Sequence, residues 1–188
     1  MHILPLATEP FTCPTDRDML PSERREFVRT HRTCVFGTPR HADGPAMSIV
    51  YYVPTDTNEL LVSTMRDRGK AKTVARNPKV SLCVLDERWP FSYLQVYCDA
   101  TVDDDPDLVV DVMMAIGGRM SGDPIGDDAR PFVAAMADEE DRVVLRCRPY
   151  STFAQPPRHL HHNDQAEAVT HWVSSAMPWD AADHPEGV

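Results

Sequence analysis

Residues 60–82, LLVSTMRDRGKAKTVARNPKVSL, set six basic side chains directly behind an apolar run: Arg66, Arg68, Lys70, Lys72, Arg76 and Lys79. Ser63 and Thr64 stand just ahead of them, and Asp67 is the one acid among them. The whole chain carries a formal net charge of -10, so this concentration of cations is local. Hydroxyls and cations gathered where a strand gives way to a helix suit an anion, and a phosphate above all. Backbone N–H groups and the positive end of the helix dipole converge there, and Arg and Lys add charge-assisted bonds. Gly69 lets a ligand come close to the backbone. The plainer reading is a solvated basic face on a short surface helix; the strand and the hydroxyl pair weigh against it.

Other reactive side chains carry less. His159, His161 and His162 form an HLHH run, but they lie in a Pro-rich tail with nothing to fix them as ligands, so no metal site is read. Cys13, Cys34, Cys83, Cys98 and Cys147 are odd in number and form no CxxC pair. They read as reduced, apolar core residues rather than a catalytic thiol. The acidic balance excludes general nucleic-acid binding. No apolar run approaches the roughly 20 residues of a membrane span. The start, MHILPLATEPFTCPTDRD, lacks a basic segment followed by an apolar one, so the expected compartment is the cytoplasm.

The elements around the cluster follow from pattern. SERREFVRTH reads as a helix capped by Ser22, TCVFGTPR as a strand, HADG as a hairpin turn, and AMSIVYYV and LLVSTM as the next two strands. These three strands are expected to form a meander. RGKAKTVARNP carries Ala71, Val74 and Ala75 at helical spacing and ends at Pro78. KVSLCVLDE and SYLQVYCDATVD are the fourth and fifth strands. DDPDLVVDVMMAIGGRM opens with the acid-Pro signature of a helix start, with Gly117-Gly118 expected to stop it. A helix around ARPFVAAMADEED, a last strand RVVLRCRP, and a tail with a short helix at QAEAVTHWVSSAM complete the reading. Six antiparallel strands with helices in the gaps suit a small barrel, not a doubly wound sheet. The expected organisation is an arm over 1–19, a cofactor-binding barrel over 20–150, and a tail over 151–188 that is partly disordered or packs on a partner. The apolar surface of SYLQVYCDATV exceeds what so short a chain can cover, which points to a homodimer.

GPAMSIVYYV, the 60–82 series, SYLQVYCDATV and RVVLRCRP, in that order, resemble the pyridoxamine-phosphate-oxidase-like split β-barrel family. Within it they are similar to the branch using the deazaflavin coenzyme F-420. The resemblance implies a mainly β fold with flanking helices, a six-stranded antiparallel split β-barrel, homodimeric, with FMN or deazaflavin at the subunit interface. It implies a phosphate cradle of Ser63, Thr64, Arg68, Gly69, Lys70 and Lys72, and a ring lying along Met47, Ser48, Ile49 and Val50. A deazaflavin's polyglutamyl tail would engage Arg66, Arg76 and Lys79. Tyr51, Tyr52, Tyr93 and Gln95, with Trp89 and Phe91, are candidates for a substrate pocket or interface; packing with a satisfied hydroxyl is the ordinary reading of such tyrosines. The vitamin oxidases of the family place an Arg at the start of the second strand, where this chain has GPAMSIV. The reading therefore leans to the deazaflavin over FMN. The expected function is hydride transfer between that cofactor and a small unsaturated organic substrate. The alternatives are an FMN-dependent pyridoxamine-phosphate-type oxidase and a non-catalytic flavin or tetrapyrrole carrier.

Overall fold

Period-two alternation of apolar residues sets the strands, and their pairing sets what they carry. The computed structural model describes residues 1–7, 9, 11–12, 18–88, 92–155 and 175–183. In chain order the elements are α1 (Pro21–Thr30), β1 (Thr33–Thr38), β2 (Ala46–Tyr51), β3 (Val53–Pro54), β4 (Leu60–Met65), α2 (Gly69–Val74) and β5 (Lys79–Asp86). They continue with β6 (Ser92–Asp103), α3 (Pro106–Ser121), a 3-10 turn (Asp127–Ala129), α4 (Arg130–Glu139), β7 (Arg142–Gln155) and β8 (Ser175–Pro178).

The strands run β2-β1-β5-β6-β7-β4-β3, all neighbours antiparallel, with β8 on the second half of β7. The two ends of that path, β2 and β3, are successive stretches of one extended segment joined at Tyr52. A sheet whose ends share a segment must roll up, and this is the split barrel. Tyr52 is wholly buried at the joint, where its hydroxyl donates to the Val28 carbonyl at 2.6 Å. The inward faces fill the barrel with Phe36, Leu60, Val62, Leu82, Val84, Leu94, Val96 and Leu145, and Ala71 and Val74 of α2 join this core.

The expected meander forms only in part: β1 pairs with β2, and β4 meets the end of that same segment only at Val53–Pro54. β4 pairs with β7 instead of β2, because Tyr52 turns the segment from one seam of the barrel to the other. Ser22 does not cap α1; Leu20 holds that position, its N–H bonded to the Glu23 carboxylate at 2.7 Å, and Ser22 donates to Asp183. Asp105 caps α3 as its sequence implies, accepting from the Leu108 N–H at 3.0 Å. Gly117-Gly118 do not stop that helix. They let residues 123–125 fold back on it, since a Cβ at Gly118 would meet the Asp123 carbonyl at 3.2 Å. The end comes at Gly122, whose φ of 91° belongs to the left-handed region that favours glycine. The last strand runs to Gln155, past the expected boundary at 150. The tail helix expected over 165–177 is strand β8 at its end; residues 165–174 lie outside the described residues.

One polar network ties this returning segment to the rest. Arg24, 1 % exposed, donates to the Asp18 carboxylate at 2.9 Å, the Thr152 hydroxyl at 3.0 Å, the Ser175 carbonyl at 3.2 Å and the Ser175 hydroxyl. It joins α1 to β7 and β8.

The outer face of the barrel is covered unevenly. α3 and α4 cover β3, β4 and the start of β7 through Val53, Leu61, Val144, Val109, Val112 and Ala137. Beyond β7 the register aligns Met47, Gly37, Ser81, Tyr97 and Ser151 in one outward row, and Ile49, Val35, Cys83, Gln95 and Phe153 in the next. Neither of those helices' core contacts reaches these rows.

Candidate functional site

The cation cluster divides in space. Arg66 is held by Asp141 at 3.0 Å and Asp104 at 3.2 Å. Lys79 is held by Asp99 at 2.7 Å, with its ammonium 4.3 Å from the centre of the Tyr150 ring. Two of the three side chains expected to take a polyglutamyl tail are thus already paired, and only Arg76 remains. That weakens the expected tail site, while the ground from GPAMSIV, which lacks the Arg of the vitamin oxidases, is untouched. Arg68, Lys70, Lys72 and Arg76 have no carboxylate partner among the described residues.

Those four surround α2, which has only six residues, so its dipole is small and the side-chain charges dominate. Lys70 reaches across to β2 and donates to the Ser48 hydroxyl at 3.3 Å. Burial, and then the neighbouring Arg68 guanidinium, hold the Lys70 ammonium below its ordinary value. An anion placed there would relieve both effects. The space around Gly69 is open, with no atom within 4 Å of where a Cβ would stand.

The two hydroxyls ahead of the cluster do not converge, since neighbours on a strand face opposite ways. Thr64 is buried and shares the inward face with Val62. Ser63 shares the outward face with Leu61 beneath α3, and its buried hydroxyl has no hydrogen-bond partner among the described residues. The same alternation divides the expected ring platform. Ser48 and Val50 turn inward, whereas Met47 (70 % exposed) and Ile49 (79 % exposed) turn outward. Tyr52 belongs to the core and is not a pocket residue, as its buried hydroxyl bond shows. Tyr51, Tyr93 and Gln95 are half-buried. Trp89, Phe91, His159, His161 and His162 lie outside the described residues.

A groove of about 590 Å³ lies on the uncovered outer face, lined by Val35, Gly37, Met47, Ser81, Cys83, Gln95, Tyr97 and Tyr150, with Asn77 and Lys79 at one end. Tyr97 and Tyr150 went unnoticed as site residues, and the register explains why. The pairing of β6 with β7 shifts between Tyr97/Ser151 and Cys98/Pro149, so Tyr150 is the extra residue of a bulge. Its ring stacks beside that of Tyr97, centroids 6.4 Å apart and planes 29° apart. A lone Tyr on a strand gives no sign of this; only the partner strand's register does. The groove nears the cluster at Asn77, just after α2, but none of the four unpaired cations lines it, and Ser48, which Lys70 meets, turns to the inward face of β2. An aromatic and apolar floor suits a flat ring system, and a cluster of unpaired cations suits a phosphate.

The buried thiols Cys34 and Cys147 are inert by position. Burial raises the Cys34 thiol far above its ordinary value and the Cys147 thiol to about 12, so neither forms a thiolate readily. No helix among the described residues is long and apolar enough to cross a membrane.

The family model for pyridoxamine 5'-phosphate oxidase matches residues 20–155. Among solved structures, the conserved hypothetical protein Rv2991 from Mycobacterium tuberculosis superposes with a TM-score of 0.67 at 24% identity, over 80% of this chain and 94% of that one. An F420 reductase gives 0.50 at 22% identity, over 64% and 88%. A heme binding protein from Mycobacterium smegmatis gives 0.58 at 11% identity, over 87% and 59%. At these identities the structural likenesses establish a shared fold. No curated protein matches the chain by sequence.

Proposed function

This chain belongs to the pyridoxamine 5'-phosphate oxidase family, and from that membership we propose that it is an oxidoreductase acting with a bound flavin or deazaflavin on a small unsaturated organic substrate. The observation that carries the reading is the cluster of four cations without carboxylate partners among the described residues; a groove floored by Tyr97 and Tyr150 on the outer face adds a surface for a ring. Arg68, Lys70, Lys72 and Arg76 would hold the phosphate. Met47, Val35 and the two tyrosines would support the ring and exclude water from one of its faces. Such a cofactor, when bound, supplies the hydride chemistry, and the protein supplies position and shielding. No residue is assigned as a catalytic acid or base. The absence of a basic residue in GPAMSIV argues against a vitamin-phosphate oxidase.

FMN and the deazaflavin share the ring and the phosphate. GPAMSIV leans the reading to the deazaflavin, while the pairing of Arg66 and Lys79 leaves only Arg76 unpaired for its tail among the described residues. A heme carrier is the competing use of this fold, but the cluster of unpaired cations at α2 suits a phosphate cofactor better. Titrating the purified protein with FMN, with F-420 and with hemin, followed by fluorescence and absorbance, decides among them. Saturable binding of either flavin and none of hemin is expected. Binding of hemin alone would overturn the proposal.

The uncovered face also supports a homodimer. Met47 and Ile49 stand exposed on β2, whose second edge is unpaired among the described residues. Natural proteins do not leave such an edge open, and two-fold pairing is the commonest cover. Light scattering at micromolar concentration should give a dimer, and Ile49→Glu should shift it to monomer. A monomeric wild-type protein would reject both the dimer and a site built across it.

A further inference from the structure

A second cleft, which shares no lining residue with the groove, lies between the first residues of the chain and α3. It encloses about 930 Å³, and Leu4, Leu6, Leu108, Met114 and Ile125 give it an apolar lining. Arg119, in the last turn of α3, also lines it. That side chain is 2 % exposed, and no carboxylate pairs with it among the described residues. Its Nη2 donates to the Leu4 carbonyl at 3.1 Å, while its buried Nη1 has no hydrogen-bond partner among the described residues.

A guanidinium stays protonated under all ordinary conditions, so Arg119 is a buried positive charge. Buried charges are normally paired, and buried donors are normally bonded. The negative end of the α3 dipole offsets part of the charge, but Arg32, which donates to the Arg119 carbonyl at 3.2 Å, already draws on that end. Arg24 shows the contrast, since the same residue type at similar burial has Asp18, Thr152 and Ser175 around it. The rim limits what can complete Arg119. Asp111, Asp123 and Asp127 line the cleft, and of its arginines the second, Arg130, is taken by Asp111 at 2.6 Å. A multiply charged phosphate would meet these carboxylates, whereas a single negative charge at the inner end would neutralise one guanidinium.

We propose that this cleft binds a monocarboxylate with an apolar chain, its carboxylate on Arg119 and its chain along Leu108 and Met114. The bound head takes the Nη1 donor, and the first residues of the chain adjust to admit it. The site is separate from the cation cluster at α2 and does not depend on how that cluster is used.

Decanoate below its micelle concentration is the probe, with decanol as its neutral counterpart, each titrated into the full chain by calorimetry. Decanoate should bind saturably, at one site per chain and at least tenfold more tightly than decanol. Arg119→Met should remove that preference. Since loss of a buried Arg can unfold the chain, Ala115→Trp serves as a second variant. It leaves Arg119 in place, fills the cleft from α3 and should abolish decanoate binding while FMN or F-420 titration is unchanged. No saturable decanoate binding, equal affinity for decanol, or unimpaired binding by Ala115→Trp would each overturn the proposal.

Discussion

Replacing Lys70 with alanine should weaken binding of the phosphate-bearing cofactor roughly 10- to 150-fold, or about 1.5–3 kcal/mol, the range for hydrogen bonds to charged groups. Lys70 is the cation that bridges α2 to β2 through Ser48, and it has no carboxylate to fall back on among the described residues. Its ammonium is already disfavoured by burial and by Arg68, so a bound anion gains more there than at an exposed lysine. Folding should be nearly unchanged, because a half-buried side chain with one hydroxyl contact contributes little to stability. Lys70→Arg should retain most of the affinity. The measurement is a fluorescence titration of each variant beside its urea midpoint. Unchanged affinity in Lys70→Ala, with folding intact, would remove Lys70 from the site.

Arg24→Met should have the largest effect on stability, a loss of roughly 3 kcal/mol, because breaking a buried ion pair strands the partner charge. The guanidinium is buried and holds Asp18, Thr152 and Ser175 together, so its removal loosens α1 from β7 and β8 at once. Asp18 is partly exposed, which keeps the loss at the lower end for such pairs. Adding Asp18→Asn should recover part of it, since the stranded charge is then gone. Urea unfolding of the single and double variants gives both values. A loss below about 1 kcal/mol for Arg24→Met would mean that the apolar contacts of β8, and not this network, hold the segment.

Much of this architecture was legible because it is local. Period-two alternation in KVSLCVLD and SYLQVYCDATVD marked β5 and β6, and the Asp105-Pro106 pair marked the start of α3. What stayed hidden was non-local. Tyr52 looks like any strand tyrosine, yet it is where one segment passes between the barrel's two seams, so the predicted meander failed there. The cation cluster was visible as composition, but which cations are spoken for depends on Asp99, Asp104 and Asp141, far along the chain. Ser63 and Thr64 looked like a pair because they are adjacent in sequence, but neighbours on a strand face opposite ways. Arg119 gave no signal, because a basic residue in a helix's last turn is ordinary until its burial is known.

The closure of the barrel also sets an order of events during synthesis. β1 and β2 are neighbours in sequence and can zip as soon as both emerge from the ribosome. β4 cannot, because its register runs from Leu60 opposite Cys147 to Met65 opposite Arg142, about eighty residues downstream. At the usual 5–20 residues per second, the apolar LLV segment waits roughly 4–16 s for its partner strand. Only β3, at Val53 and Pro54, is available to it in that interval. The nascent chain thus carries an open, adhesive edge for seconds, and a pause in translation between β4 and β7 would lengthen that exposure and lower the yield of folded protein.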